Sequence, residues 1–182
     1  MFGGGITNFD INKIKKYYHL IVISMPKTPV IVKEKNLNKS YCYIPNVSKP
    51  NEFSNHFLIA DNLENYESRA NEVLNFLRKQ KWVDDKKLVV AEHSQGSKVA
   101  TLIALNNKNV TNLGLFGPNP FGRIDQFIRE NRKKAETKQI SWLEADKKIE
   151  QNYQMFKDAY NDSVLKQNPY LISWKSFSRP LK

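Results

Sequence analysis

Three short apolar runs, each of strand length, alternate with segments of helical periodicity, and this alternation constrains the fold of the chain most. The runs are residues 19–25 (HLIVISM), 87–92 (KLVVAE) and 112–116 (NLGLF). Continuous apolar runs of this length are typical of strands buried in a parallel sheet. Apolar residues at helical spacing predict helices at 10–17, 66–81, 96–105, 124–136 and 141–160. The order predicts an α/β fold with a mainly parallel sheet flanked by helices.

Composition excludes several classes of protein. A chain of 182 residues with 40% hydrophobic residues fits one domain, with at most a small extra lobe, and is too apolar for disorder. No apolar run reaches the roughly 18 residues of a membrane span, and the N-terminus lacks the layout of a signal peptide, so a cytoplasmic location is the default expectation. Cys42 is the single cysteine, which excludes an internal disulfide.

The net charge of +11 raises the question of a nucleic-acid partner. The excess is mostly lysine scattered along the chain, and only residues 129–138 (RENRKKAETK) are locally dense. Scattered lysine is typical of a solvated surface, and no clustered arginines or stacking aromatic platform accompany it. We therefore expect no nucleic-acid partner. Metal or nucleotide cofactors are not expected either, because no paired-cysteine, HExxH or phosphate-binding glycine motif occurs.

Residues 88–97 (LVVAEHSQGS) carry the clearest chemical signal in the chain. They predict an apolar strand, a sharp turn centred on Ser94 and an immediate helix, which is the setting of a nucleophile elbow. Ser94 is then the candidate nucleophile, and the backbone N–H of Gln95 is the candidate oxyanion-hole donor. The alternative is an ordinary strand-to-helix turn with a capping serine.

These residues resemble the α/β-hydrolase superfamily, particularly its esterase and peptidase-like members. The resemblance is carried by residues 82–84 (WVD), 87–90 (KLVV) and 93–96 (HSQG). Ser94 and Gly96 match the elbow pattern, whereas Glu92 stands where the family usually has glycine. The resemblance implies a serine hydrolase that cleaves an ester or amide bond of a small-molecule or peptide substrate. It also makes Gly3, Gly4 and Gly5 similar to the remnant of an oxyanion loop.

The resemblance implies an arrangement of strands as well. Residues 19–25, 87–92 and 112–116 correspond to the fourth, fifth and sixth family strands, so that 1–122 is a partial hydrolase core and 123–182 a helical cap. The third family strand lies between the fourth and fifth, and no strand precedes Gly3. We therefore expect 19–25 and 87–92 to run parallel across a gap of about 9–10 Å, and 87–92 to pair directly with 112–116. Such a gap exposes ladder groups and favours aggregation.

The family triad is incomplete in this sequence. Its order is serine, acid, histidine, but the three histidines, His19, His56 and His93, all precede Ser94. The first two are expected to be structural, and His93 is expected to be packed or solvated. Together with the missing first and last strands, this predicts the middle part of a longer hydrolase, with little esterase activity of its own. A non-catalytic, hydrolase-like binding protein is the alternative, and esterase and peptidase are not distinguished.

Overall fold

The computed structural model describes residues 10–38, 43–49, 52–84, 86–119, 121–161, 168 and 170–178. The chain divides into two compact units, Met1–Asp61 and Asn62–Lys182. The boundary predicted after residue 122 lies within the second unit. No described helix combines the length and the hydropathy that crossing a bilayer requires.

The first unit contains little regular structure. Its elements are α1 (Ile11–Ile14), a 3₁₀ turn (Glu34–Asn36) and α2 (Asn55–Ala60). The Asp10 side chain caps α1 by accepting the backbone N–H of Lys13 at 3.1 Å. The helix ends at Ile14 rather than at residue 17.

The strand predicted at residues 19–25 is absent. The expectation of a gap between 19–25 and 87–92 is therefore wrong, because it requires a strand on both sides. An apolar run forms a strand only where a neighbouring strand pairs with it, and the described residues contain no strand that forms a ladder with this run. The side chains of residues 19–23 are exposed, with Val22 at 59%.

The second unit is a mixed α/β structure. Its elements are α3 (Leu63–Leu77), β1 (Val89–His93), α4 (Gly96–Asn106), β2 (Asn112–Phe116), α5 (Arg123–Glu136), α6 (Trp142–Ala159) and α7 (Tyr170–Ser178). β1 and β2 form a two-stranded parallel sheet in a register that runs from Val89–Asn112 to His93–Phe116. Direct pairing of these two strands confirms the prediction for residues 87–92 and 112–116. α4 is the crossover helix between them.

The core of the second unit lies between the sheet and its helices. Its buried apolar residues come from α3, α4 and α7, and are Leu63, Ala70, Leu74, Val99, Ile103 and Phe177. Leu88 and Val90 pack against this cluster from the β1 side. The hydroxyl of Ser176 accepts the backbone N–H of Leu63 at 2.8 Å, which joins α7 to the first residue of α3. α4 is thereby held with its first turn at the ends of both strands.

The segment after β2 is helical, as predicted. α5 and α6 are joined by a short turn in which Lys138 has φ +57°. α6 begins with a capping box between Ser141 and Glu144. α7 was not among the helices predicted from the apolar spacing.

Candidate active site

Ser94 directly follows the last residue of β1, and only Gln95 separates it from the start of α4. Its backbone N–H donates to the Phe116 carbonyl at 2.8 Å, and its own carbonyl accepts the N–H of Ser97 at 3.0 Å. These two bonds force an abrupt change of direction, and Ser94 has φ +55°. A left-handed residue other than glycine costs roughly 1–2 kcal/mol. The side chain is exposed. The predicted position of Ser94 on an accessible strand-to-helix turn is confirmed.

Glu92 and Gly96 face each other across the turn. A Cβ on Gly96 would lie 2.6 Å from Oε2 and 3.2 Å from Cβ of Glu92. The Glu92 side chain thus fills space that the glycine of the hydrolase pattern would leave empty. The turn can form because residue 96 has no side chain. Burial raises the pKa of the Glu92 carboxyl, and a hydrogen bond with the His93 backbone offsets only part of that rise.

Ser97 stabilises the turn through its buried hydroxyl. Its side chain is 2% exposed, and its hydroxyl lies 3.3 Å from the Glu92 carbonyl and 3.4 Å from the Phe116 carbonyl. One hydroxyl can donate only one proton at a time, so it is shared between the two strand ends. This role was missed from the sequence, where Ser97 is only a small polar residue in the first turn of a helix.

The backbone N–H of Gln95 stands at the position expected of an oxyanion-hole donor. Within the part of the chain that the structure describes, no acceptor takes this N–H, and α4 begins at the next residue. The positive end of the α4 dipole adds to its affinity for negative charge. Gly3, Gly4 and Gly5, the candidate oxyanion loop, lie outside the described residues.

Among the described residues of the second unit, none offers the Ser94 hydroxyl a hydrogen-bonded proton acceptor. The imidazole of His93 lies by Gly117, with Nε2 3.5 Å from the position of a Cβ on that glycine. Among the described residues, no imidazole or carboxylate hydrogen bonds to the Ser94 hydroxyl, and no three His, Cys, Asp or Glu side chains converge as metal ligands.

Two further residues reach the turn from the helices that follow β2. The guanidinium of Arg123, the first residue of α5, donates to Oε1 of Gln95. The same guanidinium lies 5.6 Å from the centroid of the Trp174 ring. Arg123 was missed from the sequence, because it is 28 positions away from Gln95 in a helix whose charges resemble an ordinary solvated face.

The chain matches no protein-family model, no curated protein and no solved structure. What can be said of its chemistry therefore comes from its own residues and their geometry.

Proposed function

We propose that the protein is a serine hydrolase in which Ser94 is the nucleophile for an ester or amide bond. The observation that carries this proposal is the backbone of Ser94, an exposed serine at φ +55° between a parallel strand and a helix. A capping serine needs no such conformation, since capping residues normally have φ in the extended region. Strain of this kind concentrates at functional sites, where it fixes a reacting group.

In the proposed reaction, the Ser94 oxygen attacks the substrate carbonyl carbon and a tetrahedral oxyanion forms. The Gln95 N–H donates to that oxyanion, and the N-terminus of α4 stabilises its charge. Collapse of the intermediate breaks the bond to the leaving alcohol or amine and leaves an acyl group on Ser94, which water then removes.

The proton of the Ser94 hydroxyl must pass to a base during the attack. No histidine follows Ser94 in this sequence, and none of the described side chains hydrogen bonds to its hydroxyl. An unactivated serine is a weak nucleophile. We therefore expect the chain by itself to turn over substrate slowly, with the residual rate coming from the oxyanion donor and from binding.

A reactive phosphonate tests the assignment of the nucleophile directly. Because no described base activates the hydroxyl, we expect a fluorophosphonate probe to form an adduct on Ser94 slowly, but faster than on an ordinary surface serine. Mass spectrometry locates the adduct, and Ser94→Ala should remove it. Ser68→Ala is the matched control, because Ser68 is exposed on α3 in the same unit. The proposal fails if Ser94 is labelled no faster than Ser68. Hydrolysis of p-nitrophenyl acetate at ordinary enzyme rates, abolished by Ser94→Ala, would show that the chain already contains a base.

The second candidate is a hydrolase-like protein that binds a ligand without cleaving it. The absence of a described base beside Ser94 favours it. It predicts that small carbonyl ligands bind at the turn while Ser94 resists the phosphonate, so the same labelling experiment distinguishes the two functions.

A further inference from the structure

Four side chains from three elements meet beside the turn, and we call them the Arg123 cluster: Gln95, Arg123, Phe127 and Trp174. Arg123 donates to the Gln95 side chain and lies over the Trp174 ring, with Cζ 5.6 Å from its centroid. The Trp174 ring in turn stacks on Phe127 at a centroid distance of 5.4 Å and an angle of 21°. The cluster therefore holds a half-buried guanidinium in a fixed position one residue away from Ser94.

The backbone around the cluster fixes the first residue of α5. Gly122 has φ +99°, and its carbonyl accepts Nδ2 of Asn119 at 2.7 Å. A Cβ at Gly122 would lie 2.6 Å from the Ser178 carbonyl, so the start of α5 packs directly on the end of α7. The position of the guanidinium is thus set by packed backbone on one side and by stacked aromatic rings on the other.

A guanidinium in this setting is suited to one kind of ligand group. Its planar fork of N–H donors matches the two oxygens of a carboxylate, and an aromatic face strengthens the hold on the cation. Charge is retained at any physiological pH, because arginine does not deprotonate in proteins. Gln95 contributes its side chain to Arg123 and its backbone N–H to the candidate oxyanion hole, so one residue joins the guanidinium to the turn that carries Ser94.

We propose that Arg123 binds a carboxylate of the substrate, so that the site takes half-esters or half-amides of short dicarboxylic acids in preference to neutral esters. This rests on the proposed function, in that the carbonyl is placed at Ser94. Arg123 is then a substrate-binding residue that determines specificity, and the aromatic pair of Trp174 and Phe127 orients it.

The experiment compares two ligands of similar shape with the full chain: monomethyl glutarate, and methyl 5-methylhexanoate, in which a neutral isopropyl group replaces the carboxylate. Binding is measured calorimetrically, and each ligand is also tested for its ability to slow fluorophosphonate labelling of Ser94. We expect the carboxylate ligand to bind at least about tenfold more tightly than the neutral one, as a charge-assisted hydrogen bond implies. High salt should weaken that preference, a readout that needs only the wild-type chain.

Variants assign the effect to one residue. Arg123→Gln should remove the preference and Arg123→Lys should retain part of it, whereas Arg132→Gln, an exposed arginine on the same helix, should leave it unchanged. Labelling of Ser94 without any preference for the carboxylate, or a preference untouched by Arg123→Gln in a folded variant, overturns this proposal but leaves the proposed function standing. An Arg123-dependent preference without labelling supports carboxylate binding and overturns hydrolysis by Ser94.

Discussion

The Glu92 carboxyl occupies the space directly above the Cα of Gly96, so that a methyl group added to Gly96 would lie 2.6 Å from Glu92 Oε2. The two residues flank Ser94 symmetrically, two positions before it and two after it. A side chain at position 96 therefore fits only if that of Glu92 moves. The turn has a glycine on the helix side and a partly buried acid on the strand side.

This contact predicts that the effect of Gly96→Ala on the free energy of unfolding changes sign when the Glu92 side chain is removed. Gly96→Ala should destabilise the fold by about 1–3 kcal/mol, the usual cost of overpacking, because the new methyl group meets the Glu92 side chain. Removing that side chain completely with Glu92→Gly should relieve the clash, whereas alanine would leave a Cβ 3.2 Å from the new methyl group. In the Glu92→Gly background, Gly96→Ala should then be stabilising by up to about 1 kcal/mol, since alanine is the better helix former.

Chemical denaturation of the two single variants and the double variant measures the coupling. Additive free energies of unfolding would mean that Glu92 and Gly96 are not in contact, and with that the description of the turn would be wrong.

Sequence reasoning located the elements whose signals are local. The strand, turn and helix around Ser94 lie within some twenty consecutive residues, and the direct pairing of β1 with β2 follows from a single crossover helix. The helices of residues 123–159 were likewise legible from their own periodicity and caps.

Features that depend on contacts with residues distant in the sequence could not be predicted from it. Residues 19–25 have the composition of a buried strand but no described strand beside them, so the pattern alone predicted the wrong structure. Arg123 reaches Gln95 because Gly122, the residue before α5, packs against the end of α7, which is a tertiary contact. The positive φ of Ser94 could be inferred from the turn, whereas the partners of its neighbour could not.

The left-handed backbone of Ser94 predicts that glycine is a more stable replacement than alanine at this position. At φ +55° glycine is favoured over alanine, so Ser94→Gly should be about 1 kcal/mol more stable than Ser94→Ala. At Ser68, within α3, the order should be reversed by about the same amount, because glycine disfavours a helix. Thermal and denaturant unfolding of the four variants measures both differences. Equal stability of Ser94→Gly and Ser94→Ala would show that the serine is not strained.

The buried carboxyl of Glu92 predicts a pH dependence of stability. Burial raises the pKa of this carboxyl in the folded state. The folded protein therefore keeps the carboxyl proton to a higher pH than the unfolded chain, in which a glutamate has a pKa of about 4.3. The contribution of Glu92 to the free energy of unfolding is therefore largest below that pH and is lost as the pH rises through the raised pKa. Glu92→Gln should remove this dependence and become relatively more stabilising from about pH 4 to pH 7.

Glu144 is the control, because its pKa is shifted in the opposite direction from that of Glu92. Hydrogen bonds from the backbone and hydroxyl of Ser141 lower the pKa of its carboxyl, so its contribution is lost as the pH falls. The difference in unfolding free energy between wild type and each glutamine variant, followed over the same pH range, should slope in opposite directions for Glu92 and Glu144. Parallel slopes would contradict the burial of the Glu92 carboxyl.

The start of α5 predicts a comparison between two glycines that share a left-handed backbone. Gly117 has φ +57° and Gly122 has φ +99°, so alanine is strained at both, at a cost on the order of 1 kcal/mol or more. They differ in the space around them: the nearest atom to a Cβ at Gly117 is His93 Nε2 at 3.5 Å, whereas at Gly122 it is the Ser178 carbonyl oxygen at 2.6 Å. Gly122→Ala should therefore cost about 1–3 kcal/mol more than Gly117→Ala, because backbone atoms of α7 must shift as well. Denaturant unfolding of both variants gives the difference. If the two cost the same, α5 and α7 are not packed as described, and the fixed position of Arg123 beside Ser94 loses its structural basis.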